Sequence, residues 1–183
     1  MTDNELMLLV KTGEIDRMKM LFRRHNHALY NFLYHMTHDK EASEDMVQNV
    51  FYRMLKYRNT YTGKGEFVTW MFHIARNILK DEFKKQKRTG KYDNLEGVSG
   101  KSGGGILADE QLGKKQAQQQ LYLAMEKLNE DEREILVLSK LQELKYHEIA
   151  QLLNINEGAV KVRIHRAFNQ LKNIYLKMES YEM

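Results

Sequence analysis

A basic stretch near the end of the chain, residues 157–172, carries side chains that can bond to DNA. It holds four Lys or Arg residues and one Glu, a net charge of +3. An arginine can bond a guanine through two parallel hydrogen bonds, and an asparagine can pair with an adenine in the same way. Arg166 and Asn169 supply these groups. Gly158 and Ala159 are small, so the backbone beside them can approach a groove closely.

Two short helices with a tight corner between them would position these side chains. The first has apolar residues at Ile149, Leu152 and Leu153, and Asn154 with Ile155 forms the corner. In the second, apolar residues recur at helical spacing, and they are Val160, Ile164, Ala167, Phe168 and Leu171. The opposite face then contains Gly158, Ala159, Val162, His165, Arg166 and Asn169. A helix-turn-helix has this pattern and places its second helix in the major groove. An amphipathic hairpin with an ordinary solvated face is the alternative.

The composition narrows the class of protein. The 183 residues include no cysteine and no proline, and the net charge is +4. Without cysteine there is no disulfide framework and no thiolate zinc site. No apolar run approaches the roughly 18 residues of a membrane span, so we expect a cytoplasmic protein. The chain lacks a phosphate-binding glycine loop and an H-E-x-x-H motif, and His25/His27 and His35/His38 have no accompanying ligand set. We therefore expect no enzyme activity, no metal and no cofactor.

Apolar residues recur with a helical period over long segments, which predicts an all-α fold of two small helical domains. The first half should form helices at residues 4–11, 15–36, 41–55 and 67–88, with Thr12 and Gly13 ending the first. In the second half a helix resumes at Leu112, and Asn129 precedes an acidic run that suits a helix N-terminus. The second core is expected from Leu121, Leu123, Leu128, Ile135, Leu136 and Leu138.

Aromatic and cationic side chains cluster in the loop at residues 56–66 and on the helix that follows it. Unpaired bases stack on aromatic rings and phosphates pair with cations, and the loop supplies Tyr57, Arg58, Asn59, Tyr61 and Lys64. Counting about 100° per residue, the outer face of the next helix contains Thr69, Trp70, His73, Arg76, Asn77, Lys80, Lys84 and Lys87. This combination predicts a surface for single-stranded nucleic acid. A polar loop without a ligand, and a tryptophan covered by a neighbouring helix, are the alternatives.

A third surface and the order of the segments indicate a family. The helix at 41–55 presents Glu44, Asp45, Gln48 and Asn49 outward, which by itself is also the pattern of a solvated face. ASEDMVQNVF (42–51), FVTWMFHIARNILKDEFKK (67–85) and YHEIAQLLNINEGAVKVRIHRA (146–167) follow one another along the chain. In this order they resemble three segments of the bacterial RNA polymerase sigma factors, specifically the extracytoplasmic-function (ECF) group that keeps only regions two and four.

The resemblance implies a domain organisation and a function. Residues 1–88 would be the region-two domain, 89–112 a flexible linker, 113–178 the region-four helix-turn-helix domain and 179–183 a tail. The implied function is to bind core RNA polymerase, direct it to promoters and melt the minus-ten element by capturing non-template bases. The implied partners are core RNA polymerase and promoter DNA, both duplex and single-stranded. An anti-sigma factor is a further partner that the resemblance allows.

The family's functional segments map onto particular residues of this chain. By resemblance, core polymerase would be bound by Glu44, Asp45, Gln48 and Asn49. The minus-ten element and its single strand would be contacted by Tyr57, Arg58, Asn59, Tyr61, Lys64, Trp70, His73, Arg76, Asn77, Lys80 and Lys84. The minus-thirty-five element would be read by Gly158, Ala159, Lys161, Val162, His165, Arg166 and Asn169. Val162 departs from the small polar residue usual in the family, and its apolar side chain would prefer a thymine methyl group.

The predicted linker, residues 89–112, contains six of the chain's eleven glycines. About 24 residues of flexible chain span roughly 27 Å on average, whereas one and a half turns of DNA measure roughly 55 Å. A relaxed linker would rarely let both domains reach their promoter elements, so we expect weak promoter binding by the free protein. The alternative function is a conventional helix-turn-helix regulator, which would bind a two-fold symmetric duplex without polymerase.

Overall fold

The computed structural model describes residues 1–89 and 109–182, with side chains described for 1–88 and 116–180. Within these ranges every regular element is helical. The first group of helices contains α1 (Asp3–Thr12), α2 (Met18–Thr37), α3 (Lys40–Lys56) and α4 (Phe67–Thr89). The second group contains α5 (Asp109–Glu126), α6 (Glu130–Leu136), α7 (Tyr146–Leu153) and α8 (Glu157–Glu182). The all-α fold expected from the sequence is confirmed.

The linker predicted at residues 89–112 falls largely outside the described residues. α4 extends to Thr89 and α5 begins at Asp109, so helix reaches into the predicted linker at both ends. α8 continues to Glu182, through most of the predicted tail. The domain boundaries themselves stay predictions. Among the described helices, none has both the length and the apolar character needed to cross a bilayer.

Local signals determine several helix ends, as the sequence predicts. Gly13 ends α1 with a φ of 116°, a left-handed conformation that glycine adopts without strain. The side chain of Asn129 accepts a hydrogen bond from the Glu132 amide at 2.8 Å and begins α6. Asn154 forms the corner between α7 and α8 with a φ of 54°, which asparagine tolerates better than most residues.

The core of the first group is built mainly by α2, α3 and α4, and α1 packs against α2 and α4. Phe32 and Phe72 meet edge to face with their ring centroids 5.2 Å apart, an arrangement that aromatic pairs favour. Leu29, Met54 and Met71 are also fully buried. Because these helices are fixed by their apolar sides, the outer faces of α3 and α4 have defined positions.

The core of the second group differs in part from the expected one. Leu121, Leu123 and Phe168 are exposed, and Ala124 and Met125 are buried instead. Leu123 lies about 150° from the centre of the buried face of α5, and Phe168 lies about 70° from that of α8. The prediction was wrong for all three side chains; the angles account for Leu123 and Phe168, and nothing in the structure explains the exposure of Leu121. The other residues expected in this core are buried, namely Leu128, Ile135, Leu136 and Leu138.

Candidate nucleic-acid interface

The predicted recognition helix, α8, presents its expected DNA face to solvent. Its core side is buried at Val160, Ile164 and Ala167. The opposite side is exposed at Gly158, Lys161, Val162, His165, Arg166 and Asn169, and Ala159 is half-buried. The side-chain amide nitrogen of Asn169 lies 3.0 Å from Nε2 of His165, one turn earlier. The exposure agrees with the predicted division of α8, whereas the contacts of this face with DNA stay a prediction.

Asn156 fixes the start of α8. Its Oδ1 accepts a hydrogen bond from the backbone amide of Ala159 at 2.7 Å, which is the arrangement of a helix N-cap. A Cβ atom added to Gly158 would lie 3.2 Å from the same Oδ1. Gly158 therefore leaves room for the cap, in addition to allowing a close approach of the backbone to a ligand.

The outer face of α3 is polar and contains one large aromatic side chain. Glu44, Asp45 and Gln48 are exposed, and Asn49 is half-buried. Tyr52, which the sequence patterns did not single out, is 62% exposed. It follows Gln48 by one turn and Asp45 by two, so the three side chains share a face. The same spacing can be read from the sequence, and it adds Tyr52 to the predicted surface.

The tyrosine-rich loop at residues 57–66 is held in place by α1. Nζ of Lys11 donates a hydrogen bond to the carbonyl oxygen of Tyr61 at 2.5 Å, and the Tyr61 hydroxyl donates to the side chain of Asn4. Asn4 in turn donates to the carbonyl oxygen of Gly65 at 3.0 Å. Tyr61 is only 3% exposed, and burial raises its pKa to about 12. The sequence suggested a ring accessible to unpaired bases, and in this structure the ring belongs to the core.

Other side chains of the loop are more accessible. Tyr57 is exposed, and Nζ of Lys56 lies 5.5 Å from the centre of its ring. Asn59 and Lys64 are exposed as well. Arg58 is half-buried and donates a hydrogen bond of 2.9 Å to a backbone carbonyl near the end of α3. The loop thus offers one exposed aromatic ring beside a cation.

The outer face of α4 is narrower than the sequence predicts. It is exposed at His73, Asn77, Lys80, Lys84 and Lys87. Thr69 is buried, which corrects its predicted outward position. Trp70 is half-buried, and its ring centre lies 4.9 Å from that of Tyr61. The alternative of a covered tryptophan is partly right, because the loop rather than a helix packs against the ring.

Arg76, which spacing placed on the outer face of α4, binds the second group of helices. Its Nε and Nη2 donate to the two carboxylate oxygens of Glu134 at 2.6 and 3.0 Å. Its Nη1 donates to the carbonyl oxygen of Leu152 at 2.7 Å, in the last turn of α7, where carbonyls lack an intrahelical partner. The side chains of Arg76 and Glu134 are 14% and 12% exposed. The expected exposure of Arg76 is therefore corrected.

A second contact between the two groups joins the end of α2 to α5. Nδ1 of His38 lies 2.9 Å from the hydroxyl of Tyr122 and 3.1 Å from a carboxylate oxygen of Glu126. Burial, together with the nearby charge of Arg133, lowers the pKa of His38 to about 4, so the imidazole is neutral at pH 7 and forms no ion pair with Glu126. The pKa of His35 is lowered for the same reasons. Within the described residues, no group of three His, Asp or Glu side chains could hold a metal ion.

Two family models match the chain, one in each group of helices. Residues 21–89 match Sigma-70 region 2, and residues 118–171 match Sigma-70, region 4. The first match includes the outer faces of α3 and α4 together with the loop between them. The second includes the corner between α7 and α8. The two regions occur in the order that the three sequence segments predicted.

Curated relatives align over most of the chain. The ECF RNA polymerase sigma factor SigX of Bacillus subtilis (strain 168) is 29% identical over 160 residues, which cover 84% of this chain and 81% of SigX. The RNA polymerase sigma factor CarQ of Myxococcus xanthus is 28% identical over 170 residues, covering 92% and 95%. The ECF RNA polymerase sigma-E factor of Escherichia coli (strain K12) is 26% identical over 180 residues, covering 94% of each chain.

Solved structures share the fold. A structure of CnrH in complex with the cytosolic domain of CnrY aligns with a TM-score of 0.70 at 20% identity, over 94% of this chain and 96% of that chain. The sigma factor RpoE in complex with the anti-sigma factor NepR from Bartonella quintana aligns with a TM-score of 0.68 at 21% identity, over 85% and 94%. With the two region matches and relatives along nearly the whole chain, the protein belongs to the ECF group of sigma-70 factors, which direct RNA polymerase to promoters.

Proposed function

We propose that this sigma factor binds core RNA polymerase through the outer face of α3 and contacts promoter DNA through two further surfaces. The minus-ten surface consists of the 57–66 loop and the outer face of α4, and the minus-thirty-five surface is the exposed face of α8. Residues 1–88 and 113–178 would form the two domains, joined by the linker at 89–112. The observation that carries the proposal is the exposed, cationic face of α8 in the second position of a helix-turn-helix.

The face of α8 supports recognition of a duplex. Arg166 is exposed, so its guanidinium can reach the O6 and N7 atoms of a guanine. Val162 is exposed on the same face and suits contact with a thymine methyl group. Lys161 can pair with a phosphate, which adds affinity without sequence preference. Asn169 would exchange its contact with His165 for a contact with adenine or a phosphate.

The loop and α4 support the capture of unpaired bases. Tyr57 offers an exposed ring for stacking, and Lys80 and Lys84 offer charge to the strand's phosphates. Tyr61 packs against Trp70 from the core side. We therefore assign Tyr61 the role of positioning Trp70, which would lie at the edge of the melted strand as a wedge between bases.

The proposed activity involves no covalent chemistry by the chain, and sigma factors in general are not enzymes. The protein would act in the cytoplasm together with core polymerase. An anti-sigma factor is a further proposed partner. Support for it comes from two proteins of the same fold, whose structures contain the anti-sigma factor NepR and the cytosolic domain of CnrY.

The test combines the purified chain with core bacterial RNA polymerase. We expect the two to comigrate in size-exclusion chromatography, and the complex to select an asymmetric two-part motif from a library of random duplexes. Asp45→Ala should weaken the complex, whereas Asp131→Ala, which removes an exposed carboxylate from α6, is the matched control. Tight binding of the free chain to a palindrome, without a polymerase complex, would instead support a conventional regulator.

A further inference from the structure

We infer that the free sigma factor is held in a closed form in which Glu134 occupies the donors that Arg76 would offer to the phosphates of the melted strand. The inference rests on the proposed role of α4 and concerns the regulation of that surface. It follows from a contact between the two groups of helices rather than from the length of the linker. The length of the linker limits how far apart the two domains can lie on the promoter, whereas this contact limits the access of DNA to Arg76.

Glu134 and a phosphate would compete for the same edge of one guanidinium. Nε and Nη2 of Arg76 face the two carboxylate oxygens of Glu134 at 2.6 and 3.0 Å. Arginine binds carboxylates and phosphates through the same paired, charge-assisted hydrogen bonds. The third nitrogen, Nη1, is bound to the carbonyl oxygen of Leu152. Arg76 therefore cannot hold Glu134 and a phosphate through this edge at the same time.

The ion pair lies in a packed interface. α7 packs against α4, Leu152 is buried, and both members of the pair are shielded from solvent. Removing one partner of such a pair leaves the other charge without compensation in a poorly solvated position. Loss of Glu134 should thus shift the equilibrium toward forms in which Arg76 reaches solvent.

The closed form leaves the other two proposed surfaces accessible. Asp45 and Gln48 on α3 are exposed, and so are Lys161 and Arg166 on α8. Core polymerase can therefore dock on α3 while the two groups of helices are still in contact. Lys80 and Lys84 on α4 are exposed in the closed form as well, so only the contact of Arg76 with the melted strand requires the two groups to separate. Polymerase binding can therefore come before Arg76 takes part in strand capture.

The test measures binding of the free chain to a short fluorescein-labelled single-stranded DNA of random sequence by fluorescence anisotropy. Glu134→Ala should raise the affinity about fivefold or more, the scale of coupling between two linked equilibria. Asp131→Ala removes an exposed carboxylate from the same helix and controls for the change in net charge. Glu134→Gln keeps the shape of the side chain and should act in the same direction if the alanine variant folds poorly. Equal gains for Glu134→Ala and Asp131→Ala would overturn the inference.

A double variant separates release of Arg76 from other effects. When Arg76→Ala is added to Glu134→Ala, the gain in affinity should disappear, because the released cation is gone. A gain that persists would refute the competition. Comigration with core polymerase, measured on the same proteins, reports on the proposed function separately. Polymerase binding without a gain in DNA affinity would refute only the closed form, whereas failure of the unaltered chain to bind polymerase would refute the proposed function.

Discussion

Nδ1 of His38 lies 2.9 Å from the hydroxyl of Tyr122, and this contact joins the first group of helices to the second. The Tyr122 ring also lies against His35 and Tyr34, with centroid distances of 5.5 and 6.1 Å. Nδ1 of His35 and Nε2 of His38 are buried and have no hydrogen-bond partner among the residues that the structure describes. Burial and the nearby charge of Arg133 disfavour protonation of both imidazoles, and for His38 they outweigh the Glu126 carboxylate that lies 3.1 Å from its Nδ1. The contact couples the closed form to pH.

The closed form should weaken as the pH falls below about 6.5, the ordinary pKa of histidine. Burial lowers the pKa of His38 to about 4 in the closed form, so the open form binds the proton more readily. Neutral His38 thus makes its full contribution to the stability of the closed form above about pH 6.5, and this contribution is lost as the pH falls toward 4. It amounts to at most about 3 kcal/mol. X-ray scattering should show a larger radius of gyration at about pH 5 than at about pH 7.5.

The other titratable groups near His38 supply control variants for this pH dependence. His38→Gln should flatten the pH dependence, because the main proton-binding difference is removed. Burial raises the pKa of Glu126, so its protonation favours the closed form and opposes the histidines, and Glu126→Gln should steepen the response. Arg133 keeps its charge throughout this range, and Tyr122, whose pKa is raised by burial, titrates above it. A radius of gyration that does not change with pH would contradict the coupling.

Removing the cap at Asn156 should destabilise the start of the recognition helix. Asn156→Ala deletes the acceptor of the Ala159 amide and should lower the free energy of unfolding by about 1 kcal/mol. Thermal denaturation followed by circular dichroism measures the loss. Asn173→Ala, at an exposed position within the same helix, should not destabilise, because alanine favours the helix. Equal losses in the two variants would show that the Asn156 side chain is not a cap.

Base-specific and phosphate contacts should separate in DNA-binding measurements on the polymerase complex. Arg166→Ala should cost about 1–3 kcal/mol at one upstream base pair and relax specificity there. Lys84→Ala should weaken binding to all sequences evenly and reduce the slope of affinity against salt by about one. Single-position promoter variants, measured at several salt concentrations, distinguish the two. Equal effects of both substitutions on every sequence would contradict the assignment of faces.

Tyr52 should contribute to polymerase binding through its ring. Exposed tyrosines at the centre of an interface often account for much of its affinity, and Tyr52 shares the α3 face with Asp45 and Gln48. Tyr52→Ala should weaken binding to core polymerase by more than about 1 kcal/mol, measured by titration with labelled protein. Tyr52→Phe keeps the ring and should retain most of the affinity. Unchanged binding by the alanine variant would exclude Tyr52 from the interface.

Features determined by neighbours in the sequence were predictable. The conformations of Gly13 and Asn154 and the cap at Asn129 each depend on residues within about one turn, and the structure contains all three. Helical periodicity likewise identified the exposed face of α8. It failed for Phe168, at the edge of the buried face, because the extent of an apolar face depends on which helix packs beside it.

Features determined by distant residues were not predictable from local patterns. Periodicity turned Arg76 away from the core of α4, but Glu134, which covers it, lies 58 residues further along the chain. Tyr61 was expected in an accessible loop, and its hydroxyl partner, Asn4, is 57 residues away. Both differences arise where elements that are distant in the sequence pack together. The spacing of residues within a single helix does not predict such contacts.

The central claim is that the free chain is closed and that its two groups of helices separate when polymerase binds. Energy transfer between dyes on the two groups tests this most directly. The chain has no cysteine, so Lys19→Cys in α2 and Lys177→Cys in α8, both at exposed positions, can carry a donor and an acceptor dye. We predict a marked loss of transfer, relative to the free chain, when core RNA polymerase is added, because the two groups separate to expose Arg76. Equal transfer in the free and the polymerase-bound chain would contradict the account, since a sigma factor that stays closed cannot offer Arg76 to the melted strand.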